Sequence, residues 1–141
     1  MDSFEKLREW IGKTESHTDT VTVWPIVALT ATLDRDDPAP KTGDELPPGW
    51  HWLYFLEAKR ASELGPDGHP KRGGFLPPVP LPRRMWAGGR IEFLSPLRVG
   101  DTIRRESKIL SVEAKHGRSG SLVFVTVEHT VSVNGKASVR E

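Results

Sequence analysis

The 141-residue chain contains no cysteine. Disulfides, thiolate metal sites and a cysteine nucleophile are therefore excluded. The composition suits a reducing compartment, and a cytoplasmic location is expected. Net charge is scarce as well: 20 Lys and Arg against 19 Asp and Glu leave a formal charge of +1. So weak a field does not draw the whole protein to nucleic acid. The opening MDSFEKLREW has no long apolar run, so neither a signal peptide nor a membrane span is expected. There are five histidines, His17, His51, His69, His116 and His129. Their spacings match no metal site and support no Ser-His-Asp arrangement. The length suits one domain over residues 1–141, long enough to bury a core without staples.

What charge there is lies unevenly. Residues 66–90 carry Lys71, Arg72, Arg83, Arg84 and Arg90 against Asp67, whereas residues 31–49 carry Asp34, Asp36, Asp37, Asp44 and Glu45 against Arg35 and Lys41. A local basic patch suits a ligand with an anionic end, or is simply a solvated loop.

Along the chain, a short helix is expected over residues 1–12, with Asp2 and Glu5 at capping-box spacing, Phe4, Leu7 and Ile11 on one face, and Gly12 as its stop. KTESHTDT reads as a polar loop. A second helix is expected from Trp24 to Leu33, capped by Thr22 and carrying Pro25 in its first turn. Ile26, Leu29 and Leu33 form its stripe, with Val27, Ala28 and Ala31 on other sides. A helix so apolar should be buried. Trp50 to Leu56 reads as a strand or extended lining segment, and Ala58 to Leu64 as a helical turn. Pro77, Pro78, Pro80 and Pro82 impose a polyproline-like path.

The remainder reads as β. In MWAGGRIEF, residues Met85, Ala87, Ile91 and Phe93 share a face. The alternation slips phase within Thr102 to Lys115, which predicts a bulge or bend. HGRSG is a turn, Ser121 to Val133 alternates with its valines on one face, and Asn134–Gly135 signals a tight hairpin. These elements predict an α+β architecture, an antiparallel sheet wrapped around a central buried helix.

Three stretches, PPGWHWLYFL, LGPDGHPKRGGFLPPVPLPRRMWAGGRIEF and PLRVGD, resemble the N-terminal half of MaoC-like acyl-thioester dehydratases and hydratases. That group includes mesaconyl-CoA and itaconyl-CoA hydratase-like proteins and the mitochondrial hydroxyacyl-thioester dehydratases. The resemblance runs from about Thr22 to Glu141. It implies a hot-dog fold and the reversible addition of water to an α,β-unsaturated acyl-CoA. The ligand implied is an acyl-CoA or acyl-carrier thioester, as substrate, with no cofactor. The partner implied is a second hot-dog unit: another copy, a different chain, or a C-terminal half. The family's catalytic pair lies in an Asp-x-Asn-Pro-x-His pattern just after the central helix. Here the corresponding run is DRDDPAPKTGDELPPGW. Asp37–Pro38 mimics Asn-Pro, but Pro40 stands where the histidine is expected. The chain is therefore expected to be the half that lacks the dyad, shaping the acyl tunnel and helping to hold CoA.

Three residues are weak catalytic candidates. Asp34 and Asp37 stand near the family's aspartate position, or form a solvated acidic turn. His51, within WHWLYF, touches the acyl chain, replaces the missing base, or is a packed histidine. For the CoA thioester the candidates are Arg83 and Arg84, whose planar forks suit phosphate oxygens, together with Trp86, Gly88, Gly89, Lys71 and Arg72. The two glycines are expected where the backbone approaches another group closely. Two further functions stay open: an acyl-thioester-binding module without turnover, and a hot-dog thioesterase with Asp34 or Asp37 activating water.

Overall fold

The computed structural model describes residues 3–141. The elements in chain order are α1 (Ser3–Leu7), β1 (Thr14–Thr20), α2 (Val23–Thr32), β2 (Glu92–Phe93), β3 (Thr102–Gly117), β4 (Gly120–Val133) and β5 (Lys136–Arg140). The strands form one five-stranded sheet in the order β1-β3-β4-β5-β2, antiparallel where β5 meets β4 and β2. Two compact units divide the chain. One comprises residues 1–15, 57–89 and 107–128, the other residues 16–56, 90–106 and 129–141, so β3 and β4 each contribute to both.

In the first unit, α1 continues into a 3-10 turn at Arg8–Trp10. Leu7 is buried with Ile109 and Val112, and Phe4, Trp10, Phe75, Val79 and the alternating Val123, Val125 and Val127 pack against them. Ile11 does not join this face and is 45 % exposed. Asp2, the proposed cap, lies outside the described residues. The expected helical turn is a 3-10 turn at Ala61–Glu63. Met85 does not share an inward face with Ile91, being 82 % exposed. The strand expected over MWAGGRIEF shrinks to Glu92–Phe93.

In the second unit, Val21, Ile26, Leu46, Tyr54, Phe55, Leu97, Val99, Ile103, Val131 and Val139 make the core. Burying each such side chain contributes about 1.5–3 kcal/mol. Helix α2 forms where the sequence placed it, and Thr22 occupies the N-cap position without a side-chain cap hydrogen bond. Its burial does not match expectation. Only Ile26 is buried, while Trp24 is 74 % exposed and Leu33 52 %. An apolar composition states what would gain from burial; it does not supply the surface that covers it.

Two further local expectations change. KTESHTDT contributes β1, an edge strand with every second residue half-buried. It lacks apolar alternation, the property by which strands are usually found. Trp50–Leu53 is a 3-10 turn rather than a strand. Its bonds run three residues apart, Trp50 N–H to Pro47 and Tyr54 N–H to His51, after Gly49 at φ 89°, a left-handed conformation that suits glycine.

The β readings largely hold. In β3 the buried residues are Ile103, Ser107 and Ile109, then Val112, so the phase changes between Ile109 and Val112. The Asn134–Gly135 turn has φ of 49° and 77° and joins β4 to β5.

Candidate functional site

The register of β5 builds the site. Beyond the Asn-Gly turn, Val133 pairs with Lys136 and Ser132 with Ala137, then a bulge intervenes and Val131 pairs with Val139. The extra residue is Ser138. It is 2 % exposed, its carbonyl accepts the N–H groups of Leu94 and Ser95, and its hydroxyl lies 3.1 Å from that of Ser95. Shifting the register by one residue exchanges the faces of a strand. Here it places Val139 on the core beside Val131 and carries Glu141 opposite His129. Those two exchange both backbone hydrogen bonds.

Glu141 thereby reaches the 3-10 turn. One carboxylate oxygen accepts the Trp52 indole N–H at 2.9 Å. The other lies 3.3 Å from His51 Nε2, an ion-pair distance whose angle is not that of a hydrogen bond. His51 is 4 % exposed, with the edges of Trp52 and Phe93 against its ring. Burial raises the Glu141 carboxyl, but the contacts from His51 and Trp52 and the His129 charge outweigh it, so Glu141 sits below its ordinary range. The carboxylate is held ionised by its partners.

This pair lies beside a groove of about 360 Å³ lined by residues 45–49, His51, 93–97 and Val139. Pro47, Pro48, Leu46, Phe93 and Leu94 give an apolar wall; Glu45, His51 and Ser95 are the polar side chains on it.

Asp34 and Asp37 do not line the groove. Asp34 is exposed at φ 54° after α2. Asp37 is held by Arg35, whose Nε lies 2.8 Å away, with the guanidinium over Trp50. Neither aspartate faces a histidine.

The basic candidates belong to the first unit. Arg83, Arg84 and Trp86 are exposed. Arg84 stands near Asp67, whose carboxyl is lowered first by the His69 backbone N–H, against slight burial, then by the charges of His69 and Arg84. Lys71 is exposed, its backbone N–H bonded to Glu63. Arg72 is half-buried and donates to the carbonyls of Val79 and Leu81. A side chain added at Gly88 would meet nothing within 4 Å, so no close approach explains that glycine. At Gly89 a Cβ would come 3.2 Å from the Trp86 ring, so the group that approaches is the chain's own indole. Of the remaining histidines, His69 is exposed, and His116 Nδ1 pairs with the Ser121 hydroxyl at 2.9 Å.

Sequence reasoning missed Glu141, Ser138 and Phe93. An Asn-Gly turn predicts an unbroken ladder. A signal was nonetheless present: without a bulge, Ser138 would sit opposite Val131 and Val139 would leave the core.

A family model described as hydroxyacyl-thioester dehydratase type 2 matches residues 49–141. That span contains His51 and Ser95 of the groove and excludes Glu45, Asp34 and Asp37. Mesaconyl-C(4)-CoA hydratase of Chloroflexus aurantiacus is 50% identical over 122 residues, which is 86% of this chain and 44% of that protein. The chain thus spans less than half the length of that relative.

Proposed function

The chain belongs to the hydroxyacyl-thioester dehydratase type 2 family, and from that premise we propose that it is a hot-dog unit of an acyl-CoA hydratase or dehydratase, contributing binding surface while a second unit supplies the aspartate and histidine. What supports this reading is the coverage of the relative, 44%, taken with the run Asp37-Pro38-Ala39-Pro40, which resembles Asn-Pro-x-His with proline in place of the histidine.

Addition of water to an enoyl thioester needs one group to take a proton from water and one to deliver a proton to the α-carbon. Asp34 is exposed and Asp37 is paired with Arg35. His51 Nε2 is buried 3.3 Å from the Glu141 carboxylate. None of the three is presented as a free base. The chain's role is instead to hold the thioester in reacting geometry. Arg83, Arg84 and Lys71, all in the first unit, meet the anionic end of CoA. In this reading the exposed apolar side chains of α2 are covered by the partner hot-dog unit.

The test is titration of the full chain with a non-reactive acyl-CoA analogue. Saturable binding weakened about tenfold or more by the double replacement Arg83→Ala with Arg84→Ala supports the reading. The factor corresponds to roughly 1.4 kcal/mol, the order expected for losing charge-assisted contacts. Unchanged affinity removes the arginines from the site. Release of free CoA from a reactive thioester would favour thioesterase chemistry instead.

A further inference from the structure

The polyproline stretch has a physical difficulty. Prolines 77, 78, 80 and 82 have no N–H, so the segment cannot join a ladder, and its own carbonyls need donors from elsewhere. Within it, Val79 N–H reaches only Pro77. Two of those carbonyls take their donor from a single side chain. Arg72 Nη1 donates to both the Val79 and Leu81 carbonyls, spanning seven and nine residues of chain. Just before the prolines, the Gly74 carbonyl accepts from Lys13 Nζ and the Trp10 indole, and Gly73 N–H reaches Leu76. Pro77 is fully buried, and Phe75 and Val79 pack on the core of the first unit. The base of the arm is thus fixed. Its continuation, residues 82–90, is exposed throughout and carries Arg83, Arg84 and Trp86.

We propose that Arg72 is a positioning residue, a bracket that closes the 72–81 loop on itself and so fixes the direction in which the Arg83–Trp86 tip is presented. In the sequence Arg72 counts as one of the cations for CoA; in the structure its guanidinium faces the protein's own carbonyls. The bracket is an inference about the loop. Its consequence for ligand binding rests on the proposal that Arg83 and Arg84 meet the anionic end of the thioester.

Limited trypsin digestion of the full chain tests the bracket without any ligand. With Arg72→Ala, cleavage after Arg83 and Arg84 should accelerate roughly tenfold, as expected for local opening. Cleavage after Arg118, in the β3–β4 turn of the same unit, serves as reference and should keep its rate. Arg72→Lys, which retains charge and donors, should restore most of the protection. Protection unchanged in Arg72→Ala, or a rise shared equally by Arg118, overturns the proposal. Binding of CoA itself then separates positioning from direct contact. Arg72→Ala should weaken binding about fivefold while its dependence on salt is retained, because both tip arginines remain. Arg83→Ala with Arg84→Ala should flatten that dependence. If the double variant binds CoA as the parent does, the tip is not the CoA site, and the digestion result still decides the bracket.

Discussion

Replacing Glu141 by glutamine removes one charge and almost nothing else. The amide keeps the shape and retains an acceptor for the Trp52 indole. What disappears is the ion pair with His51, 3.3 Å away and 4 % exposed. Removing one partner of a fully buried pair can cost several kcal/mol. Glu141 keeps 14 % of its side-chain surface, so we expect about 1–2 kcal/mol at pH 7. For a chain of this size that is a fall in Tm of roughly 3–7 °C. The pH dependence follows from the direction of the shift. The folded carboxyl lies below its ordinary value of 4.5, so its contribution is complete above about pH 4.5 and is lost as pH falls through the folded value. The gap in Tm between parent and Glu141→Gln should therefore be steady from pH 7 to pH 5.5 and close at lower pH. Thermal unfolding followed by circular dichroism measures it. A gap equally wide at pH 3, or none at pH 7, would refute the assignment of Glu141 as the charged partner of buried His51.

Other outcomes follow from the same coordinates. Tyr54, the single tyrosine, has its hydroxyl raised to about 12 by burial and then by Asp19; absorbance at 295 nm should show no ionisation at pH 10.5 in the folded protein and ionisation near 10 in denaturant. Its hydroxyl donates to the Thr22 carbonyl at the start of α2 at 2.6 Å, so Tyr54→Phe should lower stability by about 1 kcal/mol in denaturant titration. Ile103, 0 % exposed, should cost about 2–5 kcal/mol on replacement by alanine, read from the midpoint of urea unfolding. Gly88→Ala should leave every indole N–H resonance in place, whereas Gly89→Ala should move that of Trp86, because only the second introduces a contact of 3.2 Å.

Periodic segments were legible because burial and sequence agree there. The valines of β4, the phase change in β3 and the Asn134–Gly135 turn each follow from local chemistry that the structure retains. Helix α2 was legible in extent but not in environment, since coverage of Trp24 and Leu33 depends on surfaces remote in sequence. The polar strand β1 carried no apolar period, and the aromatic run at Trp50 was drawn into a 3-10 turn by Pro47–Pro48–Gly49. The site divided in the same way. His51 stood out as a histidine among aromatics, but Glu141 meets it only because a bulge at Ser138 advances β5 by one residue. Arg72 stood out as a cation, and its bond to the proline carbonyls is a matter of loop geometry.

The proposal that a second unit supplies the dyad is tested most directly by turnover. Purified chain is mixed with mesaconyl-CoA or crotonyl-CoA, and loss of the enoyl thioester absorbance is followed, first alone and then with a second hot-dog unit bearing Asp-x-Asn-Pro-x-His. We expect no hydration by the chain alone and hydration when the two are combined. Sustained hydration by the chain alone, abolished by His51→Ala or Asp34→Ala in a folded variant, would contradict the reading and place the proton-transfer group within these 141 residues.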